Sequence, residues 1–441
     1  MTIHVIGAGL AGCECAHILA NNGLKVKLYE MKPHKKSPAH NSNDFAELVC
    51  SNSLKSIDTT NACGLLKAEM KMLGSLMIEA AENNKVEAGN ALAVNREGFS
   101  KYITNKIKEN ENIEVIYKEV QKISNIDIEE GDKIVIATGP LTSDDLSKDI
   151  KKILGEEELF FYDAAAPIIS KDSLDMSKVY RMDRYGEIGL GDYLNADMTE
   201  EEYKSFYNLL INAETAERKE FDKLTFFEGC MPIEELARRG EKTLVFGPMK
   251  PVGLGKNGRA YATLQLRAED KEQTMYNLVG FQTSLKFMEQ KKIFQSIPGL
   301  ENAEFLRYGV MHRNTFINAP KLLKSDFSLK SNEDIFFAGQ ISGVEGYVES
   351  TASGLMIAYN ILTRLKGKTL DWKEETMFGS LAKHVSTEVK DYQPMNANFG
   401  IIKPLEVNKK IKDKKLKYEM YAKRSLEQME VLKNELKGAR S

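Results

Sequence analysis

The sequence predicts an α/β protein: a doubly wound parallel sheet interrupted by an inserted α+β domain. Three observations predict it. The first thirty residues read strand, glycine turn, helix, strand. Two later apolar strands, at 134–138 and 334–338, each run into a small-residue turn. Between them, from about Asp192, the strand–helix alternation gives way to charged helix and turn, and it resumes near Asp334. The expected division is 1–190 and 333–441 for the two parts of the nucleotide-binding unit, with 191–332 inserted and a basic helix at the end.

His4, Val5 and Ile6 form the first buried strand, and Gly7, Ala8, Gly9, Leu10, Ala11 and Gly12 the turn after it. A helix follows over 13–22, Gly23 ends it, and a second strand over 26–29 places Glu30 at its tip. Gly7 permits the turn, Gly9 lets backbone approach a pyrophosphate, and Gly12 lets helix and strand pack closely. The pyrophosphate meets N–H groups that the helix leaves unpaired, and Glu30 can accept hydrogen bonds from a ribose hydroxyl. This spacing between two strands points to an adenine dinucleotide. Further elements are expected in order. They are a methionine-rich helix over 64–83, strands at 113–117 and 133–137, and a charged helix over 200–221. Strand and turn over 226–255, a helix over 276–290 and a break at Pro298 and Gly299 come next. The strand 334–338 leads into Gly339 and Gln340, then a helix over 344–362, and a Lys/Glu-rich helix over 404–438 closes the chain. A glycine loop at the N-terminus, a strand–turn ending at Gly139, and a second turn at Gly339 and Gln340 suit a long cofactor held at both ends. That order favours FAD over NAD as the resident cofactor.

Length and composition narrow the class. A chain of 441 residues accommodates two or three domains, and 42% hydrophobic with 28% charged residues is a globular balance. No run of about eighteen apolar residues occurs, so no membrane span is expected, and the absence of a signal peptide predicts a cytoplasmic protein. Charge is polarised. The stretch 238–271 carries a local +5 and 403–441 a local +6 against a total of −3. Such patches can face nucleic acid, and Arg238, Arg239, Lys409 and Lys410 are the candidate RNA contacts.

Five cysteines with irregular spacing show no CxxC pair, and the histidines show no HxH or HxxxH spacing, so neither zinc, another metal nor a dithiol redox centre is expected. Cys13, Cys15 and Cys63 read as small buried hydrophobes. Two stand apart. Cys50 follows an apolar helical stretch and precedes a Ser/Asn turn whose N–H groups can stabilise a thiolate, and Cys230 lies between Gly229 and Pro232, upstream of Arg238 and Arg239.

The segments IGAGLAGCE, FAELVCSNSLKS, GLLKAEM, FFEGCMPIEELARRGEKTLVFGPMKPVGL and FAGQISGVEGYVESTASG occur in this order. In them the chain resembles, over essentially its whole length, the folate- and FAD-dependent tRNA (uracil-C5)-methyltransferases (TrmFO type). The resemblance implies a glutathione-reductase-like FAD domain with an insertion. It also implies a methyl group built on uridine C5 from 5,10-methylenetetrahydrofolate by way of flavin, with NAD(P)H as reductant. Uracil C5 is a poor nucleophile until a thiolate adds at C6. Carried over by motif, Cys230 is that nucleophile, and Cys50 is its partner, either holding the methylene or removing the C5 proton.

The implied RNA is tRNA, at uridine 54 of the T-loop; the alternatives are a ribosomal RNA uridine and a wobble-uridine modification by related chemistry. Wobble-modifying relatives are longer and lack FEGCMPIEELARRG. A non-catalytic FAD-bearing RNA-binding protein would keep the glycines and basic patches while losing its cysteines, and both are here.

Overall fold

The computed structural model describes residues 1–37, 39–155, 159–164, 166–216, 231–256, 260–389, 392, 394–406 and 411–438. Its first layer is a six-stranded sheet in the order Ser328–Leu329, Asn332–Phe337, Lys133–Ile136, Ile3–Ile6, Val26–Glu30, Ile113–Tyr117. All neighbours run parallel except the first pair. Val5 lies beside Leu28 on one side and Val135 on the other, and Phe336 beside Val135. Strands buried on both faces are mostly apolar, as Ile3, Val5 and Ile6 and Ile134, Val135 and Ile136 are; the buried His4 is satisfied by Asp132 at 3.1 Å and the Tyr29 hydroxyl at 3.1 Å. The register brings Gly7, Glu30, Ala137 and Ala338 to one edge, the carboxyl end of the strands, where open α/β sheets bind their ligands.

A second six-stranded sheet is antiparallel: Tyr180–Arg181, Tyr193–Met198, Ala262–Ala268, Met275–Leu278, Ile168–Ser170, Phe305–Arg307. It takes up Ile168–Ser170 and Tyr180–Arg181, ahead of the expected boundary at 191. A three-stranded sheet (Ser53–Ser56, Ala91–Val94, Lys85–Val86) sits between the layers, and its Val86 and Ala93 join the core of the second sheet.

Several elements differ from expectation. The stretch 276–290 is not one helix. Tyr276 and Leu278 are buried in a central strand, Gly280 turns the chain at φ 79°, and the helix is Phe287–Phe294. The methionine-rich stretch is two helices, Ala62–Met72 and Leu76–Asn83, parted at Gly74 with φ 77°. The charged helix ends at Ile211, and the terminal one begins at Lys414. Where strand and turn were expected, the described part of 226–255 holds the short helices Ile233–Arg238 and Thr243–Phe246. Residues 45–50 are not helical.

Two buried carboxylates tie helices together. Glu14 accepts from the N–H groups of Leu76 and Met77 (3.1 and 3.0 Å), which open their helix. Glu69 accepts from those of Met377 and Phe378 (2.8 and 3.0 Å) and from the Ser425 hydroxyl of the terminal helix. Burial pushes both carboxyls up from 4.5 to about 7. A raised folded-state value means that their stabilisation is full below pH 4.5 and is lost as pH rises to about 7. Each contributes up to about 1.4 kcal/mol per pH unit in that window. Denaturant unfolding from pH 5 to 7 should therefore show a slope shallower by up to about one proton in Glu69→Gln than in the parent.

Candidate active site

The N-terminal helix, Leu10–Asn21, starts at Gly9, and no side chain caps it. The long helix Tyr347–Arg364 starts at Gly346, also uncapped by a side chain. Their first-turn N–H groups are thus left for whatever occupies the space in front of them. The two helices touch so closely that a Cβ on Gly354 would lie 2.1 Å from the Ala11 carbonyl oxygen.

In front of them is a cleft open to solvent. Gly7, Ala8, Gly9, Leu10, Ala11, Glu30, Gly139, Gly339 and Gln340 all line it. Gly12 lies behind, where its Cβ would meet the Gly7 oxygen at 1.9 Å; it serves packing, as its position in the motif predicts. Gly9 differs. Its φ is −76°, and its Cβ would meet nothing nearer than the Ala137 oxygen at 3.9 Å. The fold has room for a Cβ there, so what glycine contributes is open space above the turn, which a close-lying pyrophosphate can use. Glu30 accepts from the N–H groups of Ala8 (3.0 Å) and Lys32 (2.9 Å), which fixes its carboxylate at the cleft wall with lone pairs to spare for a ribose. The residues present fit an adenine dinucleotide.

Val49 and Tyr347, which lie beside Cys50, also line the cleft. The Tyr347 oxygen accepts from the N–H groups of Cys50 (2.7 Å) and Ser51 (3.2 Å), and it lies 2.9 Å from the Cys50 sulfur. Both phenol lone pairs are then taken, which leaves its O–H to donate to sulfur. Burial, and next the Cys50 sulfur, raise the Tyr347 hydroxyl well above the usual phenol range, so that proton is present at neutral pH. Three arginines hold the loop around Cys50. Arg96 donates to the Leu48 oxygen (2.6 Å), Arg307 to the Val49 oxygen (2.6 Å), and Arg267 to the Ser51 hydroxyl (2.8 Å) and the Asn52 amide oxygen (3.0 Å). Arg96 is itself gripped by Glu269. Arg267 and Arg307 belong to the second sheet, so Cys50 stands where the two sheets meet.

Cys13, Cys15 and Cys63 are buried, and desolvation raises all three thiols, Cys63 to about 11. Cys50 is half-buried at the cleft. Cys230, Lys409 and Lys410 lie outside the described residues. Arg238 and Arg239 are exposed at the end of the Ile233–Arg238 helix, away from the cleft lining, and Arg238 pairs with Glu235 at 2.6 Å. Among the described residues no three His, Cys, Asp or Glu converge as metal ligands, and no helix is long and apolar enough to cross a membrane.

Sequence reasoning passed over Tyr347, although the residue stands in a quoted segment, directly after Gly346 at a helix start. Replacing Tyr347 by phenylalanine leaves two N–H groups of the Cys50 loop without their acceptor, a cost of about 1–3 kcal/mol. A lowered melting temperature with flavin still bound is the expected result.

The family model described as glucose inhibited division protein A matches residues 2–369. The protein from Bacillus pumilus named methylenetetrahydrofolate–tRNA-(uracil-5-)-methyltransferase TrmFO is 55% identical over 439 residues, 98% of this chain and 99% of its own length. The chain belongs to the TrmFO family. TrmFO proteins of Fusobacterium nucleatum and Bacillus subtilis are each 54% identical, with 98% of both chains covered. In fold, the chain is similar to Aquifex aeolicus GidA in two crystal forms. The TM-scores are 0.68 and 0.69 at 16% and 17% identity, covering 99% and 98% of this chain and 75% and 76% of that one. The glycine cleft and the Cys50 loop described above are thus those of a TrmFO-family chain with a flavoprotein fold.

Proposed function

We propose that this chain transfers a one-carbon unit from 5,10-methylenetetrahydrofolate to C5 of a tRNA uridine, forming 5-methyluridine, with FAD resident in the cleft and NAD(P)H as reductant. One observation carries the reading: in a TrmFO-family chain, the Cys50 sulfur lies 2.9 Å from the hydroxyl of Tyr347, a residue that lines the dinucleotide cleft. FAD held by the glycine loop and Glu30 would supply redox and one-carbon transfer chemistry. The protein's own groups do the rest. Gly9 and the two open helix starts seat the cofactor, and Glu30 orients its ribose. Cys230, assigned by motif, adds to uridine C6 and makes C5 nucleophilic. Cys50 either holds the incoming carbon or takes the C5 proton, with Tyr347 orienting its sulfur.

In this reading the parallel sheet and its helices form the FAD unit, and the antiparallel sheet, from Ile168–Ser170 to Phe305–Arg307, belongs to the insertion. Arg238, Arg239, Lys409 and Lys410 contact RNA, and the work is done in the cytoplasm. The target is the T-loop uridine 54. Mapping 5-methyluridine after deletion of the gene tests this. Loss at that tRNA position is expected, whereas loss only from ribosomal RNA would move the activity to another substrate.

A further inference from the structure

The loop 183–191 presents a surface that the cleft does not use. Tyr185 has φ 66° and is 76% exposed. A bulky residue in the left-handed region is costly and is kept where something else requires it. The loop is firmly docked. The Tyr185 N–H donates to the Gly253 oxygen at 2.8 Å. Arg184 donates to the Lys250 oxygen (3.1 Å), the Val252 oxygen and the Gln265 amide oxygen (3.1 Å). Gly253, at φ 82°, lets the ring lie against backbone, since a Cβ there would fall 2.8 Å from two ring carbons. The phenol is thus fixed against the chain with most of its surface in solvent. Phe246, also 76% exposed, and the exposed Lys250 precede Gly253 within the 238–271 stretch of net positive charge.

The place of this loop follows from one strand. Gln265 and Arg267 are two residues apart in Ala262–Ala268, so they project from the same face about 7 Å apart. Arg267 holds Ser51 and Asn52 of the Cys50 loop, and Gln265 holds Arg184. The tyrosine loop and the Cys50 loop are therefore neighbours on one face of the second sheet.

Chemistry on a base requires that base to leave its stack, and the unstacked neighbours then lack a partner. An exposed aromatic among cations supplies one, whatever the base. We propose that Tyr185 is the stacking platform for an unpaired nucleobase of the RNA substrate, adjacent to the target uridine. This rests on the reading of the chain as a tRNA methyltransferase.

The test uses the flavin-loaded full chain and an unmodified tRNA transcript, with Tyr185→Ala, Tyr185→Asn and Tyr185→Phe. Asparagine tolerates the left-handed backbone, so that variant keeps the loop while removing the ring. For Ala and Asn the KM for tRNA should rise roughly tenfold or more, with flavin absorbance and melting temperature unchanged. Phe, which keeps the ring, should stay within about twofold of the parent. The platform is wrong if Ala and Asn leave KM for tRNA unchanged, or if Phe is impaired as much as they are. A parent enzyme that transfers no carbon to tRNA would instead overturn the functional reading, and the parent arm reports that separately.

Discussion

Replacing Cys50 by alanine should lower methyl transfer by roughly 10²–10⁴-fold, the range lost when a positioned proton-transfer group is removed, while leaving the protein folded and yellow. Cys50 is half-buried and is not part of the hydrophobic core. Its loop is held by contacts that do not use the sulfur: Arg96 on the Leu48 oxygen, Arg307 on the Val49 oxygen, and the Tyr347 oxygen on the Cys50 and Ser51 N–H groups. Cys50 itself is not among the residues that line the cleft, so flavin content should stay at the parent level. Single-turnover transfer, measured with flavin absorbance on the same sample, checks both halves. A variant with full transfer would remove Cys50 from the chemistry. One that had lost flavin as well would make the residue structural.

The second large effect separates two glycines of one motif. Gly12→Ala places a methyl group 1.9 Å from the Gly7 oxygen and 3.3 Å from the Ala137 side chain, backbone against backbone with no soft neighbour to give way. Overpacking a core costs about 1–3 kcal/mol where side chains can shift; here they cannot, and the variant should fail to fold or melt far below the parent. Gly9→Ala meets nothing within 3.9 Å and keeps an ordinary φ of −76°. Glycine and alanine at a helix start differ by at most about 1–2 kcal/mol. The apoprotein should therefore melt close to the parent, yet it should retain little flavin, because the added methyl group occupies the space in which a pyrophosphate must approach. Melting curves and the flavin-to-protein absorbance ratio of the two variants decide the matter. If Gly9→Ala bound flavin normally, the assignment of this loop to the pyrophosphate would fall.

What could be read from the chain depended on how local its cause was. The strand, glycine turn and helix over residues 3–21 are specified by neighbours in sequence, and all but Gly12 of the proposed cofactor residues line one cleft. Cys50 stood out because its own segment is distinctive. Its surroundings did not. Tyr347 lies 297 residues away, and Arg267 and Arg307 arrive from a separate sheet. No periodicity or local motif announces such contacts, which exist only once the strands have paired. The same cause misled the reading of 276–290. Tyr276 and Leu278 have apolar character that suits a helix face as well as a strand, and burial between Ala262–Ala268 and Ile168–Ser170 decided for the strand.

In the proposed function the flavin cleft and the Cys50 loop together deliver folate carbon to a tRNA uridine. Purified flavin-loaded protein, incubated with labelled 5,10-methylenetetrahydrofolate, NADPH and unmodified tRNA, tests it most directly. Label recovered in 5-methyluridine without any S-adenosylmethionine is the predicted result. Methylation supported by S-adenosylmethionine alone, with no label from folate, would contradict it.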